Sequence, residues 1–219
     1  MAKKVGLLLS GCGVQDGAEI HEAVCAMLAL DRAGAEIICL APDRDQAAVV
    51  DHLRGRPTGE KRNVLVEAAR IARGKIRDVA KVTPEELDAV LLPGGFGAAR
   101  NLSSFAEDGE KAKADPGVAA LLRGMHAAKK PIGALCIAPA VLAAVLGPDA
   151  HPELTIGDDA STAKAIEGMG ARHVAANATG IVVDRKNRIV TAPCYMLATR
   201  ISQVAEGAEK AVKALLEMA

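Results

Sequence analysis

The stretch GALCIAPA, residues 133–140, sets a cysteine between a short apolar run and an Ile-Ala-Pro that reads as a helix start. Most buried cysteines are small hydrophobes that fill core space. A cysteine where a strand breaks into a helix can instead be a nucleophile, because the macrodipole and free N–H groups of the helix start favour a thiolate. Ala134 and Ala138 lie two residues to either side of Cys136. Small residues there let a strand reverse sharply into a helix, the geometry of a nucleophile elbow. The local pattern leaves both readings of Cys136 open.

A nucleophile needs a proton acceptor and a place for developing negative charge. Glu19 and Glu22 lie three apart in DGAEIHEA and share a face of the first helical turn. Acids in a first turn commonly do no more than compensate the helix dipole. Glu19 follows the Gly-rich SGCGVQDG, so it is expected to point into a pocket. A carboxyl beside a thiolate can hold a proton and work as general acid and base. Glu22 is a secondary candidate for that part, and His21 points elsewhere. Gly94-Gly95 ends an apolar run. A tight turn explains it, and so does close backbone approach with amides aimed at an oxyanion. A phosphate loop fits poorly, since GGFGAAR lacks the GxGxxG spacing and does not follow the first strand. Cys12, in the first Gly-rich loop, is a further candidate. Cys25 and Cys39 fit core positions, and Cys194 lies near a strand end. His52 and His126 sit in charged, solvated surroundings, and His173 has no obvious partner.

These segments can act together only if the fold gathers them. KKVGLLL, AEIICLAP, KIRDVAKV, DAVLLPGG, PIGALC and LTIG read as strands. Helices are predicted over AEIHEAVCAMLALDRAG, VLVEAARIARG, DPGVAALLRGMHAAKK, APAVLAAVLG, DDASTAKAIEGMG and from about Met196 to Met218. TPEEL is a capped turn, IVVDRKNRIVTAP a hairpin, and residues 43–63 a polar insertion. Several strands are apolar throughout, as in a parallel sheet covered on both faces. The expectation is one α/β domain over 1–219, a doubly wound sandwich with a mostly parallel sheet. Such sheets build sites outside the carboxyl ends of their strands, where SGCGVQDGAEIHEA, LPGGFGAARNLSSF and GALCIAPA would meet.

Composition excludes several function classes. The 219 residues carry 27 basic and 27 acidic side chains, with two Phe, one Tyr and no Trp. A neutral chain so poor in aromatics offers neither an electrostatic footprint nor a stacking platform for nucleic acid. No stretch approaches the roughly 20 apolar residues of a membrane span. MAKKVGLLLSGCG starts like a signal peptide, but its apolar run is too short, and a first core strand explains it better. Five cysteines without a CxxC suggest reduced thiols and a cytoplasmic protein. No metal-ligand cluster is evident, and no metal or other cofactor is expected.

SGCGVQDGAEIHEA, LPGGFGAARNLSSF, CIAPA, LTIG and IVVDRKNRIVTAPCYMLA together closely resemble the enhancing-lycopene-biosynthesis family. These are isoprenoid-biosynthesis proteins with an amidotransferase-like domain, within the PfpI-type, class I glutamine amidotransferase-like superfamily. The resemblance covers essentially the whole chain. It implies a flavodoxin-like sandwich, often dimeric, so a homodimer is expected. It places the elbow cysteine on Cys136 and the acid that hydrogen-bonds it on Glu19. The oxyanion amides fall on Gly95 and Ile137, beside Gly94. Class I amidotransferases complete their triad with a His-Pro-Glu far downstream of the cysteine. Here HPE at 151–153 follows Cys136 closely in a Pro/Gly-rich loop and reads as a surface turn. Superfamily members often carry a histidine shortly after the elbow helix. Here LTIGDDAST has Gly157, Asp158 and Asp159 instead, which favours chemistry by thiolate and carboxyl alone. The implied activity is a cofactor-independent glyoxalase converting glyoxal, a small aldehyde substrate, to glycolate. Rival readings are a thiol redox sensor, an amidase- or peptidase-like hydrolase, and a regulatory partner in isoprenoid metabolism.

Overall fold

The strands form because apolar residues at alternate positions feed two separate cores. In the computed structural model, which describes residues 2–219, Leu8, Leu40, Val90, Leu92, Ile132 and Ala134 pack into one core. Their neighbours Leu7, Leu9, Cys39, Ala41, Leu91 and Leu135 pack into the other. A strand apolar on both faces is stable only between two helical layers. The strands are β1 (Lys4–Leu8), β2 (Glu36–Ala41), β3 (Val50–Asp51), β4 (Arg56–Pro57), β5 (Ile76–Asp78), β6 (Ala89–Leu92), β7 (Ile132–Leu135), β8 (Glu153–Leu154), β9 (Arg172–His173), β10 (Val182–Asp184) and β11 (Ile189–Ala192). The helices are α1 (Ile20–Arg32), α2 (Val64–Ile71), α3 (Phe96–Arg100), α4 (Phe105–Asp108), α5 (Pro116–Ala127), α6 (Pro139–Ala150), α7 (Ala160–Gly168) and α8 (Ile201–Met218).

The main sheet has seven strands in the order β10-β11-β7-β6-β1-β2-β5. All its pairings are parallel except that of β10 with β11, the expected hairpin. Helices α1, α2 and α8 cover one face, through residues such as Leu30, Val64 and Leu215. Helices α5, α6 and α7 cover the other, through Leu122, Val141 and Ile166. This is the expected doubly wound, flavodoxin-like α/β sandwich.

Three local expectations need correction. The LTIG segment is not a strand of the main sheet; only Glu153–Leu154 pairs, in a two-stranded ribbon with β9. Thr155 and Ile156 are fully buried without a ladder. Side chains supply the missing partners: the Thr155 amide donates to Thr191 Oγ1 at 2.9 Å, and the Gly157 amide to Thr155 Oγ1 at 3.0 Å. The polar insertion is partly ordered, since β3 and β4 pair as a small antiparallel ribbon. The loop after β6, left without a predicted element, forms the short helices α3 and α4.

Candidate active site

The carboxyl ends of β1, β6 and β7 are adjacent in the sheet, and their loops meet above it. Cys136 is the first residue after β7, with φ at 58°. A non-glycine residue in the left-handed region is uncommon and marks a backbone held by its surroundings. The Cys136 amide donates to Ala192 O at 2.8 Å, and the Ala138 amide to Leu135 O at 2.9 Å, closing a tight turn. Helix α6 then starts at Pro139, where a missing N–H costs nothing. Ala134 and Ala138 are both fully buried, so the small residues sit where the elbow leaves no room.

The carboxyl that touches the cysteine is Glu22, not Glu19. Helix α1 begins at Ile20, which makes Glu19 its N-cap; Glu19 Oε2 accepts from the Glu22 amide at 2.7 Å. Glu22, inside the first turn, projects beneath the cysteine and is fully buried. Its Oε2 accepts from the Gly94 amide at 2.9 Å and its Oε1 from the Tyr195 amide at 3.1 Å. Its carboxyl also neighbours the Cys136 thiol, which weighs on its pKa. Glu19 is nearly buried, at 8% exposure, and lines the cleft above the sulfur.

Burial raises Glu22 to about 7, and the nearby Glu19 adds to the rise, while the Tyr195 and Gly94 amides and Cys136 oppose it. Burial, then the Glu22 charge, pushes the Cys136 thiol well above its ordinary range; a hydrogen bond from the Gly95 amide pulls the other way. Burial therefore opposes the dipole-stabilised thiolate that the elbow position leads one to expect. Two buried acids this close disfavour ionisation of each other.

The two glycines have different duties. A Cβ on Gly94 would lie 2.5 Å from Cys136 Cβ, 2.8 Å from Glu22 Oε2 and 3.0 Å from Cys136 Sγ. Only glycine lets this backbone pass between the thiol and the carboxyl. Gly94 was expected to serve the oxyanion; its amide is instead committed to Glu22. Gly95 has φ at 95° and aims its amide at the sulfur. Gly95 and Ile137 both line the cleft.

The cleft is about 360 Å³ and is lined by Val14, Glu19, Gly95, Phe96, Ala99, Phe105, Ala106, Cys136, Ile137, Thr162, Tyr195 and Met196. Cys12 does not reach it; Cys12 lines a separate polar pocket of about 290 Å³ with Asp16, His52 and Glu67. No histidine lines the Cys136 cleft. His151, of the HPE stretch, caps the end of α6 and bonds Gly170 O at 2.7 Å. His52 is not simply solvated, since its Nε2 accepts from the Gln15 amide at 3.1 Å. His126 bonds Asn187 Oδ1 at 3.1 Å. His21 was expected to point elsewhere, yet its Nδ1 lies 2.8 Å from Tyr195 Oη and 3.9 Å from Glu19 Oε1.

Sequence reasoning missed Phe96, Phe105, Thr162, Tyr195 and Met196 as cleft residues. Tyr195 comes from the short 3₁₀ turn Cys194–Met196 after β11. Cys194, with φ at 44°, turns the chain so that the Tyr195 amide meets Glu22. The scarcity of aromatic residues was the one available signal. Among the described residues no group of His, Cys, Asp and Glu has metal-site geometry, and no helix is long and apolar enough to cross a membrane.

The comparisons agree with this architecture. A human protein, glutamine amidotransferase-like class 1 domain-containing protein 3, mitochondrial, is 45% identical over 99% of this chain and 84% of its own length. The mitochondrial ES1 protein homolog of Rattus norvegicus is also 45% identical, over 98% of this chain and 84% of its own. The crystal structure of an isoprenoid biosynthesis protein with an amidotransferase-like domain from Ehrlichia chaffeensis superposes with a TM-score of 0.93 at 39% identity, covering 99% of both chains. The DJ-1/PfpI family model matches residues 12–193. With the elbow cysteine and its buried carboxyl inside that span, the chain belongs to the DJ-1/PfpI family.

Proposed function

We propose that the protein is a cofactor-independent glyoxalase, in which Cys136 traps a carbonyl and two carboxyls move its protons. The observation that carries this reading is the buried Cys136–Glu22 pair at the floor of a cleft that Glu19 also lines. Cys136 Sγ attacks one aldehyde carbon of glyoxal while Glu22 takes the thiol proton. The alkoxide forms against the Gly95 and Ile137 amides and is protonated to the hemithioacetal. A base then removes the C–H proton of that carbon to give an enediol; a proton returns to the neighbouring carbon, and the hydroxyl proton passes from the first oxygen to the second. The result is a thioester of glycolate. Water adds to the thioester carbon and expels the Cys136 thiol, giving glycolate. The net change is addition of one water, with no external oxidant or reductant.

The geometry divides the carboxyl work. Both Glu22 oxygens are engaged from below by backbone amides, whereas Glu19 faces the cleft. Glu22 is therefore assigned to the thiol and Glu19 to the carbon-bound proton. Glu19→Gln should cut turnover by roughly 10²–10⁴-fold while aldehydes still protect Cys136 from iodoacetamide. Near-normal glyoxal turnover by a folded Glu19→Gln variant would remove the shuttle role and transfer it to Glu22. The hydrolase reading is weaker because no histidine lines the cleft.

Homodimerisation and location are proposed on separate grounds. Ile20, Val24 and Leu28 recur every four residues on α1 and are 42%, 50% and 46% exposed. An apolar stripe on one face of a packed helix suits a second copy of the chain. Light scattering should give a dimer at micromolar concentration, and Val24→Glu should give a monomer; a wild-type monomer would reject the dimer. The five cysteines are free, which supports a reducing compartment, taken here as the cytoplasm.

A further inference from the structure

We infer that the cleft over Cys136 is built for an aldehyde carrying an apolar substituent of several carbon atoms, aryl or alkyl, and that glyoxal underfills it. The inference rests on the reading of Cys136 as a carbonyl trap.

The placement of aromatic side chains carries it. The chain has two Phe, one Tyr and no Trp. Phe96, Phe105 and Tyr195 all line this one cleft. None of them is fully buried: the largest fully buried side chains are leucines and Met125, and Phe105 and Tyr195 only border the two cores. Phe96 is 52% exposed, on a helix whose buried residues are all small. A ring left facing water forgoes the free energy that burial would give it, and an apolar ligand restores that loss.

The rest of the wall has the same character. Val14, Ile137 and Met196 add apolar surface, and no Lys, Arg or His is among the lining residues. Arg100 stacks on the Phe96 ring at 5.5 Å and is paired with Glu107 at 3.3 Å. A substrate carboxylate or phosphate would find no cation in the wall. Size agrees as well. A water molecule's share of liquid volume is about 30 Å³, so a cleft of about 360 Å³ has far more room than two formyl groups need. The bond-forming step is unchanged by the substituent. Sγ adds to the carbonyl carbon, the π pair moves to oxygen, and the thiol proton reaches that oxygen by way of Glu22.

The test measures capture separately from turnover. Acetaldehyde, hexanal and phenylacetaldehyde each carry the aldehyde on a saturated carbon and have no second carbonyl, so they can be trapped but not isomerised. Protection of Cys136 from iodoacetamide, followed by peptide mass spectrometry, gives a half-protection concentration for each. That concentration should fall by roughly 10–100-fold from acetaldehyde to the two larger aldehydes. In Phe96→Ala/Phe105→Ala most of that preference should vanish. If the double variant does not fold, Phe96→Ala alone, at a half-exposed position, carries the comparison. Equal concentrations for all three aldehydes, or a preference untouched by the substitutions, would overturn the inference. Glyoxal turnover measured in parallel reads the proposed reaction. Its absence alongside a retained size preference rejects glyoxalase chemistry and leaves the substrate class standing. Turnover without size preference rejects the class alone. Protection by none of the three aldehydes overturns the substrate class, and if glyoxal turnover is absent as well it overturns both.

Discussion

Replacing Glu22 by Gln should change how stability depends on pH, by an amount that follows from the burial of this one carboxyl. Glu22 is fully buried and its pKa is raised from 4.5 to about 7. In the unfolded chain it titrates near its ordinary value. Between those two values the folded protein holds a proton that the unfolded chain has lost. Stability therefore falls as pH rises through this window, and the loss is complete above about 7. That rise in pKa corresponds to a few kcal/mol in total, of which roughly 2–3 kcal/mol lies between pH 5 and pH 8. Gln cannot ionise, so the variant lacks this contribution. It also leaves one of the two amides that bond Glu22, from Gly94 or Tyr195, facing an NH₂ group. That costs roughly 1–3 kcal/mol at every pH and shifts the variant's curve without changing its slope. Urea unfolding of wild type and Glu22→Gln at pH 5 and pH 8 isolates the effect, since titrating groups not coupled to Glu22 cancel in the difference. The stability of wild type relative to the variant should drop by roughly 2–3 kcal/mol from the lower to the higher pH. Parallel curves would mean that Glu22 ionises at its ordinary pKa, and the proton-sharing pair with Cys136 would have to be abandoned.

Two further predictions follow from the same contacts. Gly94→Ala places a methyl group 2.5 Å from Cys136 Cβ and 2.8 Å from Glu22 Oε2; it should cost roughly 1–3 kcal/mol in denaturant unfolding and lower kcat by roughly a hundredfold through misplacement of the sulfur. The rate of Cys136 alkylation, and of turnover, should rise with pH through about 7 as Glu22 becomes able to accept the thiol proton; a rate already at its plateau at pH 5 would refute that assignment.

The sheet and its helical layers were legible because burial on both faces leaves an unmistakable record: continuous apolar runs such as Ala89–Leu92 and Ile132–Leu135. The same signal misled at LTIG, where Thr155 and Ile156 are as buried as any strand residue but are satisfied by side chains rather than by a ladder. Apolar composition reports burial, not pairing. At the site, the cysteine elbow was readable from its small flanking residues, and the choice between the two glutamates was not. It depends on whether α1 starts at Ala18 or at Ile20. A shift of two residues turns Glu19 from a residue in the first turn into the cap, and helix ends are the least determined feature of a sequence. Cys12 was misplaced for a related reason: the polar insertion gives its loop a separate pocket, with His52 and Glu67 in the wall. Tyr195 comes from a segment remote in sequence, and only the fold could bring it to the same cleft; Phe105 ends a segment already placed at the site, but nothing in the sequence says which way its ring turns.

Cys136 is proposed to turn over a small dicarbonyl with the protein's own residues alone. The direct measurement is glycolate formed from glyoxal, quantified chromatographically without glutathione or added metal, by wild type and by Cys136→Ser at matched circular dichroism. Wild type should form many equivalents of glycolate per protomer at a steady rate, and Cys136→Ser none above background. Equal glycolate formation by the two proteins, or a single stoichiometric consumption of glyoxal by wild type with no glycolate released, would contradict the account.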